Sequence, residues 1–357
     1  MEYVLYLILA TIVVFSSIKC ANYVDLIDKK TNISGAFIGG VILAGVTSMP
    51  ELMTSITAIA GIGGDNGPGL VIGNVLGSNV FNLIIIAGLV LFSVKNFMAS
   101  KIASSHKITI VCSLFVYALL AIVFLFNKDI EIPFIKVSLS SIIIIVVYII
   151  SLKFMAGDST ENEELDTSKL TIKQIVFRFI LATLLLIIAS IGLTYVADTI
   201  TTNLNLGASL GGALFLGIAT SLPELSSSIA LVHKKNYNAM VGNVVGSNMF
   251  NFTILVFADI IYRNGSIYRQ AAQGDNTQTK MLVIFGIVST VITGIMLIAH
   301  SVGKNKGKKE ITDKLSEANG DKDGSIASTK SAPKWVFYAC SIGIILSYLA
   351  FLFFSIK

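Results

Sequence analysis

Charged residues are scarce in this chain. Lys, Arg, Asp and Glu together make up 13% of the 357 residues, whereas a soluble domain carries roughly 25%. Long apolar runs separate these few charges, and the mean hydropathy is +0.81. The composition therefore excludes an ordinary soluble domain and predicts a polytopic membrane protein.

Cysteine is rare as well. Cys20, Cys112 and Cys340 are odd in number and far apart, which excludes a disulfide framework and offers no metal-binding spacing. The sequence also contains no nucleophile–base pair, phosphate-binding loop or cofactor motif, so we expect neither enzyme activity nor a bound cofactor. The formal charge of +5 comes from lysines in short loops between apolar runs and does not indicate a nucleic-acid partner.

Ten apolar segments are long enough to cross a bilayer as helices, which takes about 20 residues each. An acidic linker at 155–172 separates the fifth segment from the sixth and leaves two parts, 1–154 and 173–357. Because each part holds an odd number of spans, the second part enters the membrane in the opposite orientation, which predicts an inverted repeat. The predicted spans are 3–19, 36–60, 69–92, 108–126, 132–152, 173–197, 207–232, 238–261, 281–300 and 335–355.

Lysine and arginine set the predicted orientation, because cytoplasmic loops are enriched in them. Most of the loop positives fall inside when both termini are placed outside, and the 155–172 linker then lies in the cytoplasm. We expect a multi-pass protein of the plasma membrane. The segment 301–333 is rich in Lys, Asp, Ser and Gly, and we predict a disordered loop there.

Two polar motifs each occur twice inside predicted spans. The sequence TSMPE at 47–51 is answered by TSLPE at 220–224, and GNVLGSNVFN at 73–82 is answered by GNVVGSNMFN at 242–251. A glutamate at the bilayer centre costs roughly 2.5 kcal/mol or more. Two of them in repeated polar surroundings indicate an ion site built by an internal duplication.

The first motif supplies hard oxygen ligands. Pro50 has no N–H, so it interrupts the helix and frees backbone carbonyls of the preceding turn. Glu51 follows Thr47 by four residues on the same helix face, and Ser48 adds a hydroxyl. Such oxygens suit Ca²⁺ or Na⁺ rather than zinc or copper. The matching residues of the second copy are Thr220, Ser221, Pro223 and Glu224.

The second motif adds a hydroxyl and an amide on one helix face. Ser78 and Asn82 are four residues apart, as are Ser247 and Asn251. Its glycines permit close helix approach, and we predict that spans 2, 3, 7 and 8 are broken helices. The glycines are Gly73, Gly77, Gly242 and Gly246, and further asparagines that could brace the helices are Asn74, Asn79, Asn243 and Asn248.

Two carboxylates neutralise one Ca²⁺, and they equally neutralise two Na⁺ or two H⁺. A site that is neutral with either cargo suits an exchanger, because a low-dielectric path penalises an unpaired charge. A channel would more often repeat a selectivity sequence around an oligomeric axis, and none is apparent in the sequence.

The doubled motifs resemble the cation/calcium antiporter superfamily, and most closely its prokaryotic sodium/calcium exchanger branch. With the ten-span layout, the resemblance extends over nearly the whole chain. It implies an all-α membrane fold of two inverted five-helix repeats that exchanges Na⁺ for Ca²⁺ by alternating access and normally extrudes Ca²⁺. Each chain should hold a complete pathway, so the monomer is expected to function.

The resemblance also implies roles for single residues within 44–51, 73–82, 217–224 and 242–251. Glu51 and Glu224 would be the calcium carboxylates, with the backbone carbonyls of Thr47 and Thr220. Asn82 and Asn251 would line the centre. The sodium ligands would be Ser48, Ser78, Ser221, Ser247 and the carbonyls near Ala44 and Gly217.

Asn251 departs from part of the family. Some members, including potassium-dependent exchangers, carry aspartate at this position, so asparagine argues against potassium dependence and leaves the stoichiometry open. Two other functions also stay open: an H⁺/Ca²⁺ antiporter of the same superfamily, and a cation channel or calcium-binding membrane protein. The serine-rich motifs favour sodium, because hydroxyl oxygens ligate Na⁺ whereas a proton needs only the carboxylates.

Overall fold

The computed structural model describes residues 2–31, 33, 35–62, 67–157, 170–203, 217–273, 276–318 and 332–355, and these are mainly helical. The first part contains α1 (Glu2–Lys30), α2 (Gly35–Phe37), the π-helix π1 (Ile38–Leu43), α3 (Ala44–Thr47), α4 (Met49–Thr57), the π-helix π2 (Ala58–Ile62), α5 (Gly67–Ala99), α6 (Ser105–Phe126), β1 (Glu131–Ile132), β2 (Val137–Ser138) and α7 (Leu139–Gly157). The second part contains α8 (Ile172–Asn203), α9 (Gly217–His233), α10 (Tyr237–Ile261), α11 (Ile267–Ala272), α12 (Thr277–Ala318) and α13 (Lys334–Ser355).

Nine helical segments of the described residues are long and apolar enough to cross a bilayer, which confirms a polytopic helical membrane protein. The seventh predicted span, 207–232, overlaps α9 (Gly217–His233), but residues 204–216 lie outside the described part. Most of the acidic linker, at 158–169, lies outside it as well. The count of ten spans and the domain boundaries therefore stay predictions.

Helix α10 is the most buried of the nine spans found among the described residues. Its most apolar window is 78% buried, against 28% for α1 and for α13. It packs against α5, π1, α9 and α7, whereas α1 lies along α8 and α9, and α12 and α13 flank α5. Large apolar side chains such as Ile188 of α8, and Phe92 near the end of α5, lie on the surface, as expected where a helix faces lipid.

Glycines let α10 approach π1 closely. A Cβ added at Gly246 would lie 2.6 Å from the Cα of Gly40, and one at Gly242 would lie 3.0 Å from the Gly40 nitrogen. Both distances are shorter than a side chain normally tolerates, so the two backbones touch. This confirms the predicted close approach for α10. The same prediction is wrong for α5, because a Cβ added at Gly73 or Gly77 meets no atom of the described residues within 4 Å.

A predicted helix break is confirmed at the motif of the second span. There the helix is interrupted at Ser48, where φ is −88° and ψ is 9°, just before Pro50. By contrast, α5 and α10 run through their motifs without interruption, and α5 departs from helical geometry only at Ser93. Helix α9 continues through Pro223. The predicted break is therefore wrong for span 8. Helix α5 is kinked only after its motif, at Ser93, and Pro223 does not interrupt α9, whereas residues 207–216 of span 7 lie outside the described residues. Gly, Ser and Asn keep their backbone N–H, and a proline in a membrane helix can be accommodated by neighbouring groups.

Helix α12 extends beyond its apolar part as far as Ala318. The prediction of a disordered loop at 301–333 is thus wrong for residues 301–318, whereas 319–331 lie outside the described residues. Lysine, glutamate and alanine are good helix formers. Adding them to an existing helix avoids the nucleation cost that an isolated peptide would pay.

A hairpin and a short helix, neither of them predicted, cover one end of α10. Asp259 is fully buried and accepts hydrogen bonds from the Ser138 nitrogen (2.8 Å), the Ser141 hydroxyl (2.7 Å) and the Ile267 nitrogen (3.0 Å). This carboxylate therefore joins β2, α7 and α11 to α10.

Candidate cation-binding site

The two intramembrane glutamates meet in the interior. Glu51 lies in the first turn of α4 and Glu224 lies in α9, and both side chains are fully buried. The hydroxyl of Ser78 donates to Glu51 Oε1 (3.3 Å), and that of Ser247 donates to Glu224 Oε1 (3.4 Å). Each carboxylate is therefore held by the second motif of its own half.

Hydroxyls of the opposite half also reach each carboxylate. Ser48 Oγ donates to Glu224 Oε1 at 3.0 Å, and Thr47 interacts with the same carboxylate. In the reverse direction, Thr220 and Ser221 lie near Glu51, although Ser221 Oγ forms no hydrogen bond among the described residues. The contacts are thus reciprocal, and each carboxylate is surrounded by residues of both motif copies.

Two of the predicted sodium ligands lie next to each other. The Ala44 carbonyl accepts from Thr47 Oγ1 (3.3 Å) and from Ser247 Oγ (3.5 Å), and the two hydroxyls are 3.4 Å apart. All three residues are fully buried. Gly217 is the first residue of α9, and residues 204–216 before it lie outside the described residues.

Four asparagines link α5 to α10. Asn79 Nδ2 donates to the Asn248 carbonyl (3.3 Å), and Asn248 Nδ2 donates to the Asn79 carbonyl (3.1 Å). Their side-chain oxygens accept from the next asparagines: Asn251 Nδ2 donates to Asn79 Oδ1 (3.0 Å), and Asn82 Nδ2 donates to Asn248 Oδ1 (3.1 Å). We call these four residues the asparagine quartet.

Several buried oxygens of the site have no hydrogen-bond partner among the described residues. They include Glu51 Oε2, Glu224 Oε2, Asn82 Oδ1 and Asn251 Oδ1. Leaving a buried acceptor unpaired costs about 1–3 kcal/mol, and more when it is charged. Within the same residues, neither glutamate forms an ion pair with a basic side chain. Carboxylate and amide oxygens with free lone pairs are the ligands that a hard cation takes.

Further polar residues support the site. Asn74 Nδ2 donates to Ser55 Oγ (3.1 Å) and to the Glu51 carbonyl (3.2 Å), while Asn243 Nδ2 donates to Ser227 and Ser228 (3.0 Å each). The repeated motifs predict the asparagines as braces but do not include these serines. A signal was present, because residues 54–55 and 227–228 share the offset of the glutamate motifs.

Comparison with known proteins agrees with this geometry. The family model described as sodium/calcium exchanger protein matches residues 3–157 and 175–357. The chain belongs to this family. The exchanger is accordingly a membrane transporter of the cation/calcium antiporter type, and the family is not one of enzymes. The resemblance drawn from the doubled motifs is confirmed.

Curated relatives of the exchanger are membrane proteins. Inner membrane protein YrbG of Escherichia coli (strain K12) is 24% identical over 78% of this chain and 85% of its own length. Putative antiporter CaxA of Alkalimonas amylolytica is 28% identical over 70% of this chain and 77% of its own.

Solved structures show the same fold. The sodium-calcium exchanger NCX_Mj, soaked with 2.5 mM Na⁺ and 0.1 mM Ca²⁺, aligns over 97% of this chain and 96% of its own, with a TM-score of 0.62 and 19% identity. The same protein soaked with 2.5 mM Na⁺ and 1 mM Sr²⁺ gives a TM-score of 0.64. At this level of identity the likeness concerns the fold.

Proposed function

We propose that the exchanger moves Ca²⁺ in exchange for Na⁺ by alternating access, and that Glu51 and Glu224 are the carboxylates that bind Ca²⁺. The observation that carries this proposal is the group of buried, unpartnered oxygens on the two glutamates and on Asn82 and Asn251. The backbone carbonyls of Thr47 and Thr220 complete the proposed calcium ligands.

Charge balance supports a divalent cation. The two buried carboxylates carry two negative charges, and an uncompensated charge in a low-dielectric interior is strongly unfavourable. One Ca²⁺ neutralises both, and so do two monovalent cations, which lets the same site accept either cargo in turn.

Sodium is the proposed counter-ion because hydroxyl and carbonyl oxygens surround both carboxylates. Ser48 donates to Glu224, and Ser247 lies beside both Glu224 and the Ala44 carbonyl. Hydroxyls of this kind serve as Na⁺ ligands and are unnecessary for protonating a carboxylate. The proposed sodium ligands are Ser48, Ser78, Ser221, Ser247 and the carbonyls of Ala44 and Gly217.

The membrane arrangement belongs to the same proposal. Two five-span repeats of opposite orientation place both termini outside the plasma membrane, and outward Ca²⁺ transport follows from the usual inward sodium gradient. The reciprocal contacts of the two glutamates with opposite halves support such a pseudo-twofold arrangement. Since one chain supplies the whole set of ligands, a monomer suffices.

The test is calcium uptake into proteoliposomes that are loaded with Na⁺ and diluted into Na⁺-free buffer at matched pH. We expect radioactive calcium to accumulate only when Na⁺ is present inside. Uptake that ignores Na⁺ but follows an imposed pH gradient would assign the protein to proton-coupled antiport. Calcium flux without any counter-ion gradient would indicate a channel.

Replacing the motif serines should affect sodium more than calcium. In Ser78→Ala and Ser247→Ala we expect the Na⁺ concentration for half-maximal exchange to rise about tenfold, because each loses a hydroxyl ligand while both carboxylates remain. Sodium and calcium dependences are measured in the same vesicles. Ser138→Ala, at the distant hairpin, is the control, and equal changes in both dependences would contradict separate sodium ligands.

A further inference from the structure

We propose that Asn79 and Asn248 are positioning residues that fix the orientation of the two site amides, so that Asn251 and Asn82 present oxygen rather than nitrogen to the cation. The inference rests on the proposed function, because it concerns the ligands of the transported ion. It assigns a role to two side chains that do not themselves carry the free site oxygens.

The orientation begins at backbone carbonyls, which can only accept hydrogen bonds. Asn79 must turn its Nδ2 toward the Asn248 carbonyl (3.3 Å), and Asn248 must turn its Nδ2 toward the Asn79 carbonyl (3.1 Å). An amide turned the other way would set oxygen against oxygen. The orientation of these two side chains therefore follows from the backbone and does not depend on how amide atoms are assigned.

The second step follows from the first. Because Asn79 Nδ2 already donates to a backbone carbonyl, the atom that Asn79 presents to Asn251 is Oδ1, which can only accept a hydrogen bond. Asn251 must therefore turn its Nδ2 toward Asn79 Oδ1 (3.0 Å). In the same way Asn82 must supply Nδ2 to Asn248 Oδ1 (3.1 Å). The remaining atom of each outer amide is its oxygen, and these are the two oxygens without a partner.

Because the quartet is buried, only these hydrogen bonds can hold its amides in orientation. Asn79, Asn82 and Asn251 are 0% exposed and Asn248 is 3% exposed, so bulk water cannot replace a missing partner. A side-chain amide that lost its partner could rotate and turn its NH₂ group toward the cation. Residues that orient metal ligands typically change metal affinity about 10- to 100-fold when they are substituted.

Each positioning asparagine orients an amide on the opposite helix. Asn79 orients Asn251 of α10, whereas its own-helix neighbour Asn82 is oriented by Asn248. A role in packing alone would not produce this pairing, because Asn79 and Asn248 pack at the same α5–α10 contact. The pairing can therefore be tested by rescue.

The experiment measures Ca²⁺ affinity of the purified full-length protein by calorimetry, together with its Ca²⁺-dependent transport. In Asn79→Leu we expect affinity to fall about tenfold or more. In the Asn251→Asp background the same change should not lower affinity, since a carboxylate presents oxygen in either orientation and, with Asn79 in place, would set an oxygen against Asn79 Oδ1. If the leucine variant does not fold, Asn79→Ala, which removes the amide without adding bulk, is measured alone and in the Asn251→Asp background instead.

The matched control exchanges the partners. Asn248→Leu should remain harmful in the Asn251→Asp background and be rescued by Asn82→Asp. The positioning role would be overturned if each leucine variant lost the same fraction of its Ca²⁺ affinity in every background, or if Asn82→Asp rescued Asn79→Leu. Normal exchange by the wild type would leave the proposed function intact in either case. A wild-type protein that neither binds nor transports Ca²⁺ would overturn both.

Discussion

Glu51→Gln is expected to abolish calcium transport while leaving the protein folded, and Glu224→Gln should do the same. Glutamine has nearly the shape of glutamate but no charge, so one Ca²⁺ at the remaining carboxylate would leave a net positive charge in a buried site. An unpaired charge of this kind costs several kcal/mol in a low-dielectric interior. Each 1.4 kcal/mol is tenfold in affinity, which puts binding beyond the working range of a transporter.

Stability separates this effect from misfolding. Both carboxylates are fully buried, and neither is paired with a basic residue in the described part of the chain. Removing one charge therefore relieves desolvation and repulsion. Without ions, the melting temperature of either variant should equal or exceed that of the wild type. Ca²⁺ should raise the melting temperature of the wild type but not of either variant, because a ligand stabilises only a protein that binds it.

Glu131→Gln is the matched control. Glu131 lies on the unpredicted hairpin, where its carboxylate is 3.4 Å from Arg269 Nη1. Partly exposed ion pairs contribute little stability, so this variant should transport calcium normally. Full transport by Glu51→Gln, or loss of transport in the control, would contradict the assignment of the site.

Gly246→Ala should have the second largest effect, on assembly of the core. The new Cβ would lie 2.6 Å from both the Cα and the carbonyl carbon of Gly40, and backbone atoms cannot turn aside as a side chain can. Overpacking in a close contact costs about 1–3 kcal/mol or more. Because Glu51 follows Gly40 on the same broken span, displacement of π1 would also disturb the site.

The measurement is the yield and melting temperature of monodisperse protein in detergent, with calcium transport where yield permits. Gly88→Ala in α5 is the control, since no atom of the described residues lies within 4 Å of its added Cβ, and alanine favours a helix over glycine by about 1 kcal/mol. If Gly246→Ala had the same melting temperature as the wild type, α10 and π1 would not be tightly packed.

The sequence predicts the spans well because hydropathy is a local property. Predicted segments such as 108–126 and 238–261 lie within a residue or a few of α6 (Ser105–Phe126) and α10 (Tyr237–Ile261). The π-helices π1 and π2 escape prediction, because a wider helical turn depends on packing against neighbours. The hairpin and α11 were missed since Asp259, which joins them, looks like any aspartate at a span end.

The site was predictable where its chemistry is unusual for a membrane. Glu51 and Glu224 are conspicuous because buried charge is rare, and their repetition relates Ser48 to Ser221. Ser227 and Ser228 were missed because serine is common in membrane helices, and their role is visible only through their bonds to Asn243. The direction in which each quartet amide points likewise depends on contacts between α5 and α10, which no single motif contains.

Because Ser48 of the first half donates a hydrogen bond to Glu224 of the second, neither half of the chain can form the site alone. A chain terminated after α7 would retain Glu51 but lose Thr220 and Ser221, so a nonsense mutation between the halves leaves no partial transporter. Two separately translated fragments covering 1–157 and 172–357 would, by contrast, contain every contact of the site between them. The covalent connection between the halves therefore guarantees that they are made in equal number.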